Sequence, residues 1–399
     1  MIKLHSPHNE VHASVYNKLG LSRDVTIYDS TLRDGEQMPG VSFSREQKID
    51  IARKLDSIRV PQIEAGFPVI STEERRTVKE IAALGLDAEI LTLSRINTQD
   101  IDAVIECDVD MILLFVATSD LHLKYKLKTD YSTVKARSIE AIEYAKDHGF
   151  KVSFSSEDST RTPPDRLLDI LGAAIDTGVD KIGFTDTVGC ATPEAIGSMV
   201  RMVKDMIKER AGGRDLPLSI HLHNDFGLGV ANALAGVREG ADAVCVTVNG
   251  IGERAGNVPL EEFVMAMKVL YTTDLGIDTT GLMELSELVA DYSGVPIHRN
   301  KPFVGHNAFC HESGIHVAAL LNNHATYEVI PPELVGNSRH LKLGKHTGST
   351  FVKRLLEGQG IEATSEEISA ITERVKELPD VGEEEFRGIV RGIIRGPEE

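Results

Sequence analysis

The stretch MILLFVATSDLHLKYKLKTDYSTVKARSIEAIEYAKDHGFKVSFSS, residues 111–156, contains one full repeat of the pattern that runs through most of this sequence. It begins with the apolar run 111–118 and ends with the run 151–156, and both runs have the length and composition of buried β-strands. Between them lies an amphipathic helical pattern that stops at Gly149, as helices commonly stop at glycine. The stretch therefore predicts a strand, a helix and a second, parallel strand.

The same alternation occurs eight times from residue 24 onward. Eight βα units in about 250 residues are the count and length of a TIM barrel. We therefore predict an α/β fold that contains a TIM (β/α)8 barrel. The strand candidates are residues 25–30, 62–67, 89–94, 111–118, 151–156, 181–186, 218–223 and 243–248.

The alternation stops after about residue 275, and helical patterns follow, together with a polar segment rich in glycine and histidine. This segment, residues 298–350, is so long that a functional role is the usual reason for it. We predict an N-terminal arm (1–23), a barrel as the catalytic domain (24–275) and a helical C-terminal domain with a segment that covers the active site (276–399).

A doubly wound open sheet is the alternative to the barrel, but it would carry a glycine-rich phosphate loop after its first strand. Residues 30–37 read STLRDGEQ instead. Glycines also follow the eighth strand, in VNGIGERAGN at 248–257, but their spacing is not that of a dinucleotide-binding loop. We interpret this second loop as one that brings backbone close to a ligand, with Asn257 near a metal.

The composition of the 399 residues limits the classes of function. Lys and Arg number 43 against 61 Asp and Glu, and the resulting charge of −18 disfavours nucleic acid or an anionic membrane as a partner. The longest apolar stretches, such as Met111–Ala117, are far shorter than the roughly 20 residues of a membrane helix. The sequence begins without an apolar signal core, and its four cysteines lack CxxC spacing. We therefore predict a cytoplasmic protein without disulfides or a structural zinc.

Two histidines on the seventh strand candidate indicate a metal site. His221 and His223 are two residues apart, so their side chains point to the same side of the strand, into the barrel. The active site of a TIM barrel lies at the carboxyl ends of its strands, where the first strand contributes Asp34. One aspartate and two histidines suit a divalent ion, Mg, Mn or Zn, with positions left for substrate. For the histidines alone, satisfied buried hydrogen bonds are the alternative.

Other polar residues belong to the same end of the barrel. By the same alternation, Ser155 and Glu157 on the fifth strand, Thr187 after the sixth and Glu64 on the second point inward. An inward carboxylate needs a partner or a raised pKa, as a general acid or base has. Glu157 is therefore a candidate acid or base, with a structural salt bridge as the alternative. Thr187 and Glu64 could position a substrate carboxylate or tune a ligand, or simply pack in the barrel.

Eight motifs occur along the chain in this order: YDSTLRDGEQMPGV, IEAGFP, FSSED, TDTVGCATP, HLHND, VNGIGERAGN, HESGIH and LGKHTG. With them, the chain resembles the isopropylmalate, homocitrate and citramalate synthases from about residue 24 to residue 350. The resemblance implies a condensation in which acetyl-CoA adds to the ketone of a 2-oxo acid. Hydrolysis of the thioester then yields a 2-alkylmalate and CoA.

The resemblance also implies roles for single residues. The metal would lie at Asp34, His221 and His223, where it would chelate the acceptor. Arg33 would stabilise the negative charge that develops. Glu157, His316 and Tyr327 would form the set that removes the acetyl proton, with the histidine and the tyrosine reaching the site of a neighbouring subunit in a homodimer. Thr187 would hold the acceptor carboxylate, Gln37, Glu64 and Asn257 would lie in or near the metal shell, and Ser155 and Arg95 are further candidate substrate contacts.

The acceptor is the least determined feature. Lysine-pathway homocitrate synthases carry an arginine directly before the FSSED-like segment and a histidine just after the third strand, where this sequence has Ser153 and Asn97. Residues 105–127 look like the archaeal homocitrate and citramalate branch, however. Within or near them, other groups could bind a distal carboxylate, namely Arg95, His122, Lys124 and Lys126.

We therefore favour homocitrate synthase, with 2-oxoglutarate as the acceptor. Citramalate synthase with pyruvate and 2-isopropylmalate synthase with 2-oxoisovalerate are the alternatives. A metal-dependent CoA-ester lyase is a remote alternative. Such a lyase needs a catalytic cysteine in the loop NGIGERAGN, which contains none. A non-catalytic barrel would have lost a ligand or base residue, and all of them are present.

Overall fold

The computed structural model describes residues 13–15, 17, 21 and 24–394. The predicted N-terminal arm, 1–23, falls largely outside these residues. The rest of the chain divides into two compact units, one of which ends at Ile297 while the other continues from His298.

Eight parallel strands close into a barrel in the first unit, because the last strand pairs with the first as well as with its predecessor. The predicted TIM barrel is confirmed. Asp29, at the end of the first strand, is in register with Ile63 on one side and Val246 on the other. The strands are β1 (Thr26–Asp29), β2 (Gln62–Glu64), β3 (Glu89–Arg95), β4 (Met111–Ala117), β5 (Lys151–Glu157), β6 (Lys181–Asp186), β7 (Leu218–Leu222) and β8 (Ala243–Val246).

Helices follow each strand, and local sequence signals set their ends. Ser44 caps the first helix through a capping box with Gln47. Asp130 accepts from the backbone of Thr133 at the start of the helix in the quoted repeat, and Gly149, with φ of 84°, follows its end. The helices of this unit are α1 (Arg45–Ser57), α2 (Thr72–Ala82), α3 (Thr98–Ile105), α4 (Asp120–His122), α5 (Tyr131–Asp147), α6 (Pro164–Thr177), α7 (Pro193–Arg210), α8 (Gly229–Glu239), α9 (Leu260–Leu270) and α10 (Leu282–Ser293).

The first unit continues past residue 275, where the alternation of strands and helices ends. Helix α10 packs against α1 of the barrel, and Leu282, Leu285 and Val289 of α10 are buried. The burial of this apolar face explains why α10 belongs to the barrel unit. None of the described helices combines the length and the hydropathy that crossing a bilayer requires.

The inside of the barrel is apolar on one side. Tyr28, Leu91, Leu93, Met111, Leu113 and Cys245 form a buried cluster, with Phe67 and Phe115 packed against it. Phe67 and Phe115 meet edge to face, with ring centroids 6.5 Å apart.

The amino-terminal end of the barrel contains a cavity of about 720 Å³. The buried Lys181 lies there, and its ammonium donates to Gln62 Oε1 at 2.9 Å and lies 4.8 Å from the centre of the Tyr28 ring. Burial lowers the pKa of Lys181 to about 8. Because TIM-barrel active sites form at the opposite end, we assign this cavity no part in the chemistry.

The second unit is mainly helical. Its core includes Val317, Phe351, Ile371 and Phe386, and an isolated bridge joins Leu343 to Val381. Its described elements are β9 (Cys310–His311), α11 (Gly314–Asn322), β10 (His340–Leu341), α12 (Ser349–Gly358), α13 (Ser365–Lys376) and α14 (Glu383–Ile394).

Candidate active site

Three of the predicted metal ligands come together at the carboxyl ends of β1 and β7. The Nε2 atoms of His221 and His223 are 3.2 Å apart, and they lie 3.5 and 4.0 Å from Oδ2 of Asp34. Ligand atoms about 2.1 Å from a shared ion, at tetrahedral or octahedral angles, would be about 3.0–3.4 Å apart. Among the described residues, this is the one cluster of at least three such groups close enough to share a metal ion.

The protonation states of these groups also fit a metal site. Burial lowers the pKa of His221 to about 3 and lowers the pKa of His223 as well, so both imidazoles are neutral near pH 7. Burial alone would raise the pKa of Asp34, but the neighbouring Arg33 and the two imidazoles hold it well below its usual range. Neutral imidazoles and an ionised carboxylate are the forms that bind a cation.

Asn257 adjoins this cluster. Its Nδ2 donates to Oδ1 of Asp34 at 3.0 Å, while its Oδ1 is buried without a hydrogen-bond partner among the described residues. A buried amide oxygen without a partner is costly and is a suitable ligand for a cation. Gly252 makes room for this amide, because a Cβ on Gly252 would lie 2.2 Å from Asn257 Nδ2. The donors present therefore fit a divalent ion.

Arg33 joins the cluster to β2. Its Nε and Nη2 donate to the two carboxylate oxygens of Glu64 at 2.8 and 2.9 Å, and its Nη1 contacts Asp34 at 2.5 Å. Ser30 also donates to Glu64, at 2.5 Å. Burial would lower the pKa of Arg33, but Glu64 and Asp34 raise it well above its ordinary value, so this side chain stays charged.

Glu157 ends β5 and has a cationic neighbour. Its carboxylate oxygens accept from the ammonium of Lys126 at 2.6 and 2.7 Å, and Nδ1 of His122 lies 3.5 Å away. Lys126 belongs to a π-helical turn, Leu123–Leu127, that follows α4. Such turns are rare and are frequent at functional sites.

Thr187 and Ser155 line the same end of the barrel. Thr187 Oγ1 accepts from the backbone N–H of Asp158 at 2.8 Å, so its own hydroxyl proton is directed elsewhere. The hydroxyls of Ser155 and Thr185 are 3.4 Å apart, and Thr185 is in register with His221. The predicted inward direction of Ser155 agrees with this contact.

Two of the predicted substrate contacts are engaged elsewhere or exposed. Arg95 pairs with Asp100, with Nε and Nη2 at 2.6 and 2.9 Å from the carboxylate, and its guanidinium lies 5.9 Å from the centre of the Phe67 ring. Gln37 is exposed at the end of the short helix Gly35–Gln37. The structure therefore does not bring these two side chains into the metal cluster.

His316 and Tyr327 lie together in the second unit. Their rings stack with centroids 4.0 Å apart at an angle of 27°, and Tyr327 is 45% exposed. The next residue, Glu328, is buried and accepts from Arg339 at 2.7 and 2.5 Å. This ion pair anchors the segment that carries Tyr327.

Sequence reasoning missed two residues that shape the site. Ser30 follows Tyr28 by two positions, so the period of the strand could have revealed its inward direction. Arg254 donates to the Asp225 carboxylate at 2.8 and 3.0 Å and to the carbonyl of Thr187 at 2.7 Å, which ties together the loops after β6, β7 and β8. No sequence signal beyond its place in a glycine-rich loop indicated this role.

Comparison with known proteins identifies the family. Residues 24–289 match the HMGL-like family model, and residues 303–383 match the model described as homocitrate synthase post-HMGL domain-like. The homocitrate synthase AksA of Methanocaldococcus jannaschii is 48% identical over 95% of this chain and 93% of its own length. The 2-isopropylmalate synthase of the same organism is 46% identical over 97% of this chain and 74% of its own length.

A third relative is the putative (R)-citramalate synthase CimA of Methanopyrus kandleri, 44% identical over 94% of this chain and 74% of its own length. The chain belongs to the HMGL-like family, in the branch of acetyl-CoA-dependent homocitrate, isopropylmalate and citramalate synthases. It is therefore an acyltransferase that converts an acyl group into an alkyl group on transfer.

The fold has solved neighbours as well. The HMG-CoA lyase from Brucella melitensis superposes with a TM-score of 0.59 over 68% of this chain and 100% of that chain, at 18% identity. At this identity the likeness concerns the barrel fold alone.

Proposed function

We propose that this chain is a homocitrate synthase, which condenses acetyl-CoA with 2-oxoglutarate. The observation that carries the choice of acceptor is Lys126, whose side chain is about half exposed and whose ammonium lies beside Glu157. A dicarboxylic 2-oxo acid presents a second carboxylate that needs a cation, whereas pyruvate and 2-oxoisovalerate do not. Sequence identity does not separate the acceptors, because a homocitrate synthase and a 2-isopropylmalate synthase each match at 48% along nearly all of both chains.

Asp34, His221 and His223 would hold a divalent cation, Mg, Mn or Zn, with Asn257 beside them. When bound, such an ion supplies Lewis-acid polarisation of the acceptor ketone. Glu64 acts through Arg33, because it fixes the guanidinium plane. Three of the five N–H groups of Arg33 are used in contacts to Glu64 and Asp34, so two can donate to the oxygen on which negative charge develops.

Thr187 would donate its free hydroxyl proton to the acceptor's 1-carboxylate, since its oxygen already accepts from Asp158. Ser155 lines the same wall. Arg95 and Gln37 would contact substrate only if their side chains turn toward the site, and Arg95 would first have to leave Asp100. Both stay candidate substrate contacts beside Lys126, whose ammonium is likewise paired with a carboxylate, that of Glu157.

Glu157, His316 and Tyr327 would remove the proton from the acetyl methyl group. We propose that His316 and Tyr327 act on the barrel of a second copy of the chain, in a homodimer. Their exposure in the second unit, next to Ile315 at 79% exposure, supports this arrangement. A mixture of the His223→Ala and His316→Ala proteins, exchanged under mild conditions, should regain activity that neither has alone. A mixture that stays inactive although exchange has occurred would contradict the shared site.

The acceptor is tested by incubating the purified protein with acetyl-CoA and one of four 2-oxo acids: 2-oxoglutarate, pyruvate, 2-oxoisovalerate or oxaloacetate. Release of free CoA thiol is followed, and the product is identified by mass. We expect the highest kcat/KM with 2-oxoglutarate. A low kcat/KM with 2-oxoglutarate, combined with efficient turnover of pyruvate or 2-oxoisovalerate, would assign the chain to one of the two alternative activities.

A further inference from the structure

Lys48 is a buried cation that is not one of the candidate active-site residues. It lies on α1, and only 2% of its side chain is exposed. Its ammonium contacts three carboxylate oxygens: Glu36 Oε2 at 2.6 Å, Glu74 Oε2 at 2.7 Å and Glu74 Oε1 at 2.9 Å. A lysine is rarely buried to this extent unless carboxylates surround it.

The two carboxylates hold loop backbone as well as the lysine. Glu36 Oε1 accepts from the backbone N–H of Phe43 at 2.9 Å, within the loop after β1. Glu74 Oε1 accepts from the backbone N–H of Phe67 at 3.1 Å, within the loop after β2. Gly66 allows this approach, because its φ is +153° and a Cβ there would lie 2.1 Å from Glu74 Oε1. Both loops are therefore linked to the Lys48 ammonium through the carboxylates of Glu36 and Glu74.

The Lys48 contacts repeat the arrangement around Arg33. Arg33 joins Asp34, from the loop after β1, to Glu64, at the end of β2. Lys48 joins Glu36, two residues after Asp34, to Glu74, at the start of α2. Each cation thus links the first βα unit to the second. Arg33 does so at the metal cluster, and Lys48 does so through Glu36 and Glu74.

We propose that Lys48 is a positioning residue that holds Asp34 and Arg33 in the geometry of the metal site by fixing the loops after β1 and β2 to each other. The inference rests on the proposed metal site. A ligand must be held within about 0.5 Å of its productive place. Asp34 contacts Arg33 and Asn257 directly, and the Lys48 bridge holds Glu36, two residues further along the same loop.

The test separates positioning from plain stability with two variants. Lys48→Met removes the cation and leaves two carboxylates facing each other. The triple variant Lys48→Met/Glu36→Gln/Glu74→Gln also removes both charges, yet keeps the amide oxygens that can accept from Phe43 and Phe67. Mn²⁺ binding without substrate is measured by titration calorimetry on protein that circular dichroism shows to be folded. We expect both variants to bind Mn²⁺ about 10- to 100-fold more weakly than the wild type, with a matching loss in kcat.

Two further variants serve as controls. Lys204→Met breaks a single lysine–aspartate contact, Lys204 Nζ to Asp242 Oδ2 at 2.7 Å, at the amino-terminal end of the barrel, where the two side chains are 23% and 24% exposed. It should change thermal stability but leave Mn²⁺ affinity at the wild-type value. Lys48→Arg keeps a cation and should recover part of the affinity.

The outcomes distinguish this inference from the proposed function. A folded triple variant that binds Mn²⁺ as tightly as the wild type would overturn the role of Lys48 while leaving the metal site intact. An equal loss of affinity in Lys204→Met would overturn it too, because general stability would then account for the effect. A wild type that binds no Mn²⁺, Mg²⁺ or Zn²⁺ would overturn both the metal site and the role of Lys48.

Discussion

The guanidinium of Arg33 makes a bidentate contact with the carboxylate of Glu64, with Nε and Nη2 at 2.8 and 2.9 Å from its two oxygens. Glu64 is fully buried, so this pair is shielded from water and its geometry is fixed. Removal of one partner alone would leave the other charge buried without compensation.

Arg33→Lys is expected to fold but to lose turnover. A lysine is a point charge and cannot make the paired contact to Glu64 while also facing the substrate. We expect kcat to fall by about 10²- to 10³-fold, the usual cost of one preorganised donor to a developing oxyanion. Steady-state kinetics at saturating Mn²⁺ check this, so that weaker metal binding caused by the lost Arg33–Asp34 contact does not limit turnover. Unchanged kcat would remove Arg33 from the chemistry.

His223→Ala is expected to lose the metal. Loss of a residue that only supports a ligand typically costs about 10- to 100-fold in metal affinity, so loss of a ligand should exceed about 100-fold. The measurement is the metal content of the protein after dialysis, together with a calorimetric Mn²⁺ titration. Retention of stoichiometric metal by this variant would refute the proposed ligand set.

Lys126→Gln is expected to weaken the use of 2-oxoglutarate specifically. Hydrogen bonds to charged groups contribute about 1.5–3 kcal/mol, so kcat/KM for 2-oxoglutarate should fall by about 10- to 100-fold, mostly through KM. Lys124→Gln is the matched control, because Lys124 lies over the ring of Tyr125 and has no contact to Glu157 in the described residues. Equal losses with pyruvate and with 2-oxoglutarate would point to Glu157 rather than to the acceptor as the partner of Lys126.

His316→Ala is expected to separate binding from turnover. The variant should bind Mn²⁺ and 2-oxoglutarate like the wild type, since the metal cluster lies in the barrel unit. Condensation should stop, because the acetyl proton is no longer removed. Exchange of solvent deuterium into the acetyl methyl group is the direct measurement, and exchange at the wild-type rate would contradict the role of His316.

The stability of the barrel unit should depend on pH through Lys181. Its folded-state pKa of about 8 is below the ordinary value of 10.5, because burial disfavours the ammonium. Between these two pH values the unfolded chain binds the proton and the folded chain does not, so stability rises with pH. Compared with Lys181→Met, the wild type should gain up to about 1.4 kcal/mol in free energy of unfolding for each pH unit in this window. Urea unfolding at pH 7.5, 8.5 and 9.5 measures this gain, and a constant difference between the two proteins would contradict it.

The barrel and the shared direction of the His221 and His223 side chains could be predicted because both depend on short-range periodicity. Strand β6 has the predicted bounds, and the alternation along β7 alone placed His221 and His223 on one side. The contacts of Lys126 and Lys48 could not be predicted in this way. Lys126 contacts one carboxylate, that of Glu157, and Lys48 contacts two, those of Glu36 and Glu74, all from other segments of the chain. The side chain of Lys126 reaches Glu157 from the π-helical turn Leu123–Leu127.

The sequence does indicate in part that Lys48 is buried. It shares a helical face with the buried residues Ala52 and Leu55, at spacings of four and seven residues, where an apolar side chain is expected. A lysine on such a face indicates a buried carboxylate partner, but not which one. For Arg95 too, the sequence does not identify the partner, and only the structure shows that its guanidinium pairs with Asp100.

Closure of the barrel also constrains assembly. Every strand from β1 to β8 has a hydrogen-bonded neighbour on each side, so this sheet has no open edge onto which a foreign strand could add. The other described sheet, β9 with β10, is only two residues long in each strand. Contacts that another molecule makes with the described barrel would therefore use side chains of helices and loops rather than backbone pairing with its sheet. Each such contact can be changed by a single substitution without breaking the hydrogen bonds of the barrel sheet.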